Sequence, residues 1–164
     1  MITHSELLRI IDYDALTGLF RWKVSRSNQI RAGDLAGSVS ISHGYIYIEI
    51  DGQSYRASIL AWFYTKGEWP PLFVDHKDGD KSNNVLTNLR LATRSQNNAN
   101  ARLRKDSSSG FKGVSYVPRL GKFRAYTREN GKHKHIGVYN TAEAAHEAYL
   151  RASKERYGEF ARGE

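Results

Sequence analysis

The stretch "VDHKDGDKSNNVLTNLRLATRSQNN", from Val74 to Asn98, combines an Asp-His pair with a run of asparagines. Asparagine favours neither helix nor strand, so its repeated use here needs a reason. The pattern predicts a short strand ending at Asp75, a polar loop over 77–88, a second strand over 89–93 and a helix over 94–104. Such a helix would bring Asn97 back toward Asp75.

These polar residues suit the hydrolysis of a phosphodiester bond, which needs an activated water, a divalent cation and a base. Asp75 offers a hard carboxylate oxygen, and His76 can be neutral near pH 7 and accept a proton. Asn97 would add a neutral oxygen ligand. The competing interpretation is a loop in which asparagines and aspartates cap turns, and we assign Asp78-Gly79 and Asn83-Asn84 to that structural role.

The same stretch resembles the HNH nuclease family, in the branch found in phage and intron-homing endonucleases. The matching residues are Asp75-His76, Asp78-Gly79, Asn83-Asn84, Asn88-Leu89-Arg90, Thr93 and Asn97. The resemblance implies a ββα-metal fold with His76 as general base and Asn88 as the residue that orients it. It also implies that Asp75 and Asn97 bind one divalent cation.

Two features qualify this resemblance. The family's last histidine is Asn97 here, and an amide is a weaker ligand than imidazole for Zn²⁺ or Ni²⁺, so we expect one Mg²⁺ or Mn²⁺ ion. Ser58 stands in the preceding helix where relatives often carry a histidine. Arg90 and Arg94 flank the second strand. Each either clamps the scissile phosphate or serves as a general phosphate contact or solvated charge.

Composition points to a nucleic-acid partner. The chain has 164 residues, a formal charge of +8 and no cysteine. The charge favours nucleic acid over a membrane, because the sequence contains no long apolar run or amphipathic basic helix. The resemblance to HNH nucleases implies double-stranded DNA as the partner. The absence of cysteine excludes disulfides and thiolate zinc sites. The N-terminus lacks the apolar core of a signal peptide, so we expect a cytoplasmic protein, in the host cell if phage-encoded. No dimer-forming stripe is evident, so a monomer is favoured.

A C-terminal module follows "KDSSSG" (105–110), whose composition is typical of a flexible linker. Three strand-like runs lead to a helix that begins after Thr141, and a tight turn is predicted at Asn130-Gly131. The run "KFRAYTR" alternates, so one strand face would carry three cations and an aromatic ring. His133 and His135 share a side of the next strand, where DNA contact or simple exposure is favoured over a two-histidine metal site.

This module resembles the Apetala2/ethylene-response-factor type of DNA-binding domain. The matching segments are "GFKGVSY", "GKFRAYTRENGKHKHIGVYNTAEAAHEAY" and "YGEFA". The resemblance implies a three-stranded sheet that enters the major groove and is backed by one helix. The DNA-contacting residues it implies are Lys112, Ser115, Lys122, Arg124, Tyr126, Arg128, His133 and His135.

The predicted fold class is α+β, in three parts. A small β-rich segment covers 1–71, with a helix over 5–12 capped by Ser5, a hairpin at Asp51-Gly52 and a helix ended by Gly67. The nuclease core covers 72–105 as a ββα-metal fold, and the DNA-binding domain, a three-stranded antiparallel sheet packed on one helix, covers 106–164. We expect a homing-type or free-standing phage endonuclease that uses a one-metal mechanism and cuts one strand per visit. The alternative is a non-catalytic DNA-binding regulator with a degenerate HNH element.

Overall fold

The chain divides into two compact units, Met1–Leu91 and Ala92–Glu164. The structure, a computed structural model, describes residues 1–103, 107–129 and 132–163. It contains helices and strands in both units, which confirms the predicted α+β class. The predicted boundaries after 71 and after 105 fall inside these units, so the three-part division remains a prediction. Residues 104–106 and the predicted turn at 130–131 lie outside the described residues.

The first unit is built from two helices and seven short strands. These are α1 (His4–Ile10), β1 (Ile11–Tyr13), β2 (Phe20–Trp22), β3 (Ser38–Val39), β4 (Ile46–Ile50), β5 (Gln53–Arg56), α2 (Ala57–Lys66), β6 (Phe73–His76) and β7 (Leu89–Ala92). β1 pairs antiparallel with β2, β3–β4–β5 form an antiparallel sheet, and β6 pairs with β7. The cap of α1 is Thr3 rather than the predicted Ser5, since the Thr3 hydroxyl accepts the Glu6 N–H at 3.2 Å.

The core of the first unit lies between its helices and the β4 strand. Leu7 and Leu60 are fully buried, and so is Ile48 on the inward face of β4, whereas Glu49 points outward. β4 turns into β5 through Asp51 and Gly52, whose φ angles of 50° and 73° are both left-handed. This hairpin follows the sequence prediction, because an Asp-Gly pair tolerates positive φ at both central positions.

The N-terminal segment also holds the polar loop that precedes β7. The Tyr13 hydroxyl donates to the Asn84 carbonyl at 2.7 Å, and the Leu86 N–H donates to the Ala15 carbonyl at 3.0 Å. A Cβ at Gly18 would lie 2.5 Å from the Asn84 carbonyl carbon, so only glycine allows this approach. The residues before 72 and the loop after β6 therefore fold against each other.

The described residues of the second unit form two α-helices and three strands, two of which have eight residues each. These are α3 (Arg94–Asn100), β8 (Val114–Val117), β9 (Lys122–Glu129), β10 (Lys132–Tyr139) and α4 (Ala142–Tyr157). α3 begins with a capping box between Thr93 and Gln96 and ends at Asn100, earlier than the predicted 104. No helix among the described residues is long and apolar enough to cross a bilayer.

The three strands form an antiparallel sheet in the order β10–β9–β8, and α4 packs on one face of it. Ala145 and Ala148 lie on the buried side of α4, in one core cluster with the fully buried Ala125 of β9. Small side chains let the helix lie close to the sheet. The Thr141 hydroxyl caps α4 by accepting the Ala144 N–H at 3.2 Å, as the sequence predicts.

We expect Gly18→Ala to lower the free energy of unfolding more than Gly44→Ala does. Both glycines have φ near +70°, so each substitution carries about 1–2 kcal/mol of left-handed strain. Only at Gly18 would the new methyl group also collide with backbone, since Gly44 has nothing within 4 Å of the added Cβ. Urea unfolding followed by circular dichroism measures both variants. Equal midpoints would show that the approach to Asn84 does not constrain the fold.

Candidate functional site

Asp75 and His76 are the last two residues of β6, and each is only 4 % exposed. Neighbouring strand residues point to opposite faces, so both can serve one site only where the strand ends. β6 does end there: the Gly79 N–H returns to the His76 carbonyl at 2.9 Å, and the Lys77 N–H donates to the Asn88 carbonyl at 2.9 Å. The loop thus departs directly after the histidine.

Asp75 forms a buried ion pair with Arg90 of β7. The Arg90 Nε donates to Asp75 Oδ2 at 2.9 Å, and the side chains are 10 % and 5 % exposed. This contact follows from the pairing of β6 with β7. The sequence offered Arg90 as a phosphate clamp, but its Nε is used to hold the carboxylate. Arg94, the other candidate clamp, is exposed at the start of α3 in the second unit.

His76 is oriented by Asn84, through a contact of 3.2 Å between Nε2 and Asn84 Oδ1. The Asn84 amide donates through Nδ2 to the Ser82 carbonyl at 3.1 Å, so its Oδ1 is the acceptor. The neutral imidazole therefore carries its proton on Nε2 and keeps the lone pair on Nδ1. Burial lowers the pKa of His76, and the Asn84 hydrogen bond and nearby aspartates offset this only in part. The imidazole is accordingly neutral, and able to accept a proton, at neutral pH.

Asn88, predicted to orient this histidine, instead closes the loop behind it. Its Nδ2 donates to Asp78 Oδ1 at 3.0 Å and to the Asn83 carbonyl at 2.8 Å, while its Oδ1 accepts the Asp78 N–H at 3.1 Å. Burial opposes ionisation of Asp78, but hydrogen bonds from the Asp80 N–H and the two asparagine amides outweigh it and lower the pKa. Asn88 thus holds the loop that follows His76, and its catalytic role remains a prediction.

Asn84 is the site residue that sequence reasoning missed. The sequence predicts a turn role for both Asn83 and Asn84, yet Asn84 is 2 % exposed and contacts the imidazole. Nothing in the residue types separates the two asparagines, because both are common in turns. The difference arises from the Tyr13 and Gly18 contacts, which draw the Asn84 backbone into the core.

The first unit offers a hard oxygen donor for a divalent cation, the Asp75 carboxylate. Asp75 supplies a carboxylate beside the neutral His76, and among the described residues no three His, Cys, Asp or Glu side chains are grouped to hold a metal. A site with so few protein ligands relies partly on oxygen atoms of the substrate. Asn97 lies on α3, in the second unit, so its role as a co-ligand of Asp75 remains a prediction. Ser58 is 2 % exposed and is one of the buried residues of α2.

In the second unit, seven of the eight predicted DNA-contacting residues lie on the sheet face opposite α4. These are Ser115, Lys122, Arg124, Tyr126, Arg128, His133 and His135, which the alternation of β8, β9 and β10 places on that face. The Tyr126 and His133 rings stack with centroids 4.3 Å apart. The face therefore combines cations with flat rings, as sheets that contact nucleic acids do.

Lys112, the eighth of these residues, does not lie on that face. Its ammonium donates to the carbonyls of Ala99, Ala101 and Arg162, within the second unit. Burial, with a smaller contribution from the charge of Arg162, lowers the pKa of Lys112 to about 8. The DNA contact of Lys112 stays a prediction, while its hydrogen bonds give it a structural role in which one ammonium joins the end of α3 to the C-terminal segment.

We expect Arg90→Gln to lower the free energy of unfolding by about 3–5 kcal/mol, because it leaves the Asp75 carboxylate buried beside a neutral group. Arg94→Gln, the same change at an exposed position, should stay within about 0.5 kcal/mol. Urea unfolding compares the two. Similar midpoints would show that the buried pair is not needed for the fold.

Lys112→Met should lower the free energy of unfolding by about 1–3 kcal/mol, since three carbonyl oxygens lose their donor. Lys122→Met provides the control, because Lys122 is exposed and should cost less than about 0.5 kcal/mol. Thermal unfolding by differential scanning calorimetry distinguishes the variants. An unchanged transition in Lys112→Met would remove the structural role.

Comparison with known proteins places these residues in a family. Residues 55–99 match the family described as HNH endonuclease. The chain is 32% identical over 108 residues to Protein 3.8 of Escherichia phage T7. The matched region covers 65% of this chain and 88% of that protein. It is 31% identical over 152 residues to the uncharacterized HNH endonuclease L560 of Acanthamoeba polyphaga mimivirus, covering 92% of this chain and 70% of that protein. No solved structure matches the chain significantly. With Asp75 and His76 inside the matched range and the likeness extending over most of both chains, this protein belongs to the HNH endonuclease family.

Proposed function

We propose that the protein is a metal-dependent DNA endonuclease that hydrolyses phosphodiester bonds with His76 as general base. The observation that carries this proposal is the imidazole at the end of β6, buried, neutral and held through Nε2 by Asn84. Membership of the HNH endonuclease family makes DNA the expected substrate. A residue fixed in this way is suited to accept a proton from a water molecule.

His76 would act through Nδ1, the nitrogen that Asn84 leaves with its lone pair. It takes a proton from water as the water oxygen bonds to phosphorus, and the bond from phosphorus to the leaving sugar oxygen breaks. The Asn84 contact keeps the ring from turning during this step, and burial keeps it unprotonated beforehand. Asn88 supports the same geometry by holding the loop that begins at Lys77.

Asp75 and Asn97 would hold the divalent cation, which we propose to be Mg²⁺ or Mn²⁺. When bound, the cation supplies charge neutralisation at the phosphate and the leaving oxygen. Arg90 keeps the Asp75 carboxylate in one orientation through its 2.9 Å contact. With one carboxylate and one amide, the chain offers hard oxygen donors and depends on substrate for the rest. One such centre supports cutting one strand per visit.

The exposed sheet face of the second unit is proposed to bind duplex DNA. Its cations, Lys122, Arg124 and Arg128, can neutralise phosphates, and its stacked Tyr126 and His133 rings can contact sugars or bases. The resemblance to Apetala2/ethylene-response-factor domains supports this role. A binding face on one unit would raise the local concentration of DNA for the nuclease residues on the same chain.

Cleavage of supercoiled plasmid tests the proposal. We expect cutting with Mg²⁺ or Mn²⁺, none with EDTA, and a loss of at least about 10²-fold in rate for His76→Ala. His43→Ala is the matched control, because the His43 side chain is exposed and makes none of the site's contacts. Gel shift on a duplex checks that His76→Ala still binds.

Two results would contradict it. If His76→Ala cuts as fast as the wild type, His76 is not the base. If wild-type protein shifts duplex DNA but leaves plasmid intact with either metal, the chain is a DNA-binding regulator with a degenerate HNH element.

A further inference from the structure

The surface beside His76 carries two exposed cations that lie over one tyrosine ring. Tyr45 precedes β4, is half-buried, and has its ring centroid 5.9 Å from that of the His76 imidazole. The Arg56 Cζ lies 4.4 Å from the centre of the Tyr45 ring, and the Lys81 Nζ lies 4.8 Å from it. We call Tyr45, Arg56 and Lys81 the tyrosine cluster.

Further hydrogen bonds fix both cations. The Arg56 Nε donates to the Tyr47 hydroxyl at 3.3 Å, and the Lys81 Nζ donates to the His43 carbonyl at 3.1 Å. Arg56 ends β5 and Lys81 lies in the loop after β6, so separate segments bring these charges together. Side chains that are already ordered lose less entropy when they bind an anion.

The two cations of the cluster have no carboxylate partner among the residues that the structure describes. The side chains of Arg56 and Lys81 are both exposed. A cation–π contact that only stabilises the fold would need just one cation on the Tyr45 ring. Two cations without a carboxylate partner, next to the proposed base, leave room for an anionic ligand.

We propose that the tyrosine cluster is a subsite for backbone phosphates of duplex DNA, which positions the strand so that its scissile phosphate meets His76. The inference rests on the proposed nuclease function and extends it to a DNA contact in the first unit. Arg56 can bind phosphate oxygens through two N–H groups, and Lys81 acts as a point charge. The Tyr45 ring holds both in place.

No sequence signal marked this cluster. Tyr45 stands in the alternating run "YIYIEI", which favours a core aromatic, and Lys81 stands in a loop read as turns. Only the return of the chain after β6 brings Lys81 to the same ring as Arg56.

Salt dependence of DNA binding tests the subsite in the full chain. Fluorescence anisotropy with a short labelled duplex, in EDTA to prevent cleavage, gives the slope of log affinity against log salt concentration. Arg56→Gln and Lys81→Gln should each reduce that slope by about one, and the double variant by about two. Arg56→Lys, which keeps the charge, should retain the wild-type slope.

Lys66→Gln is the matched control. Lys66 is also exposed and lies over an aromatic ring, with its Nζ 5.8 Å from the Trp62 centroid. It ends α2, whereas Arg56 caps the beginning, so the two lie about 15 Å apart along the helix. Its substitution should leave the slope unchanged. Urea unfolding distinguishes a structural role of Arg56 or Lys81 from a role in binding. A purely structural role would shift the unfolding midpoint without changing the salt slope of DNA binding.

The outcomes distinguish this inference from the proposed function. If wild-type protein cuts plasmid and the slopes of Arg56→Gln and Lys81→Gln equal that of Lys66→Gln, the subsite is wrong and the nuclease assignment stands. If the slopes fall as expected but no cleavage occurs with either metal, the subsite stands and the nuclease assignment falls. A slope change on single-stranded DNA but not on duplex would also overturn the subsite.

Discussion

The hydrogen bond between His76 and Asn84 is the contact on which the geometry of the candidate site depends. It joins the last residue of β6 to a loop that is itself fixed by the Tyr13 hydroxyl and by the close approach of Gly18. A mobile asparagine would not hold the imidazole in one tautomer and one orientation. The N-terminal segment thus takes part in building the site, since without its core the loop would have no fixed position.

Arg90 differs in its surroundings from Arg56 and Lys81, although all three are cations of the first unit. Arg90 is buried, and its Nε donates to the Asp75 carboxylate within a part of the unit that has little contact with water. Arg56 and Lys81 are exposed, and a tyrosine ring orders them without cancelling their charge. A buried pair of this kind maintains the geometry of a ligand, whereas exposed unneutralised cations attract a polyanion. Arg90 and Arg56 are the same residue type. Their different roles therefore follow from their burial and from the groups they contact.

The second unit shows the same separation among its basic residues. Lys122, Arg124 and Arg128 alternate along β9 and therefore share the face opposite α4. Lys112 precedes β8, beyond a glycine that packs on Tyr149, and its ammonium binds three carbonyl groups instead. Strand periodicity can assign a face to residues within a strand. It does not predict the direction of a lysine in the connection before the strand, because that direction depends on the path of the backbone.

The sequence by itself determined the elements whose signals are local. The Asp51-Gly52 hairpin, the end of α2 at Gly67 and the alternation of β9 follow from backbone preferences and side-chain period, which act over a few residues. The Asp-His pair and its asparagines were sufficient to indicate the HNH family. Tertiary structure alone decided that Asn84 rather than Asn88 contacts His76, that Arg90 pairs with Asp75, and that Lys81 meets Arg56 at Tyr45. Each of these contacts joins residues that are separated along the chain, so it depends on how strands and loops return through space, which no local preference encodes.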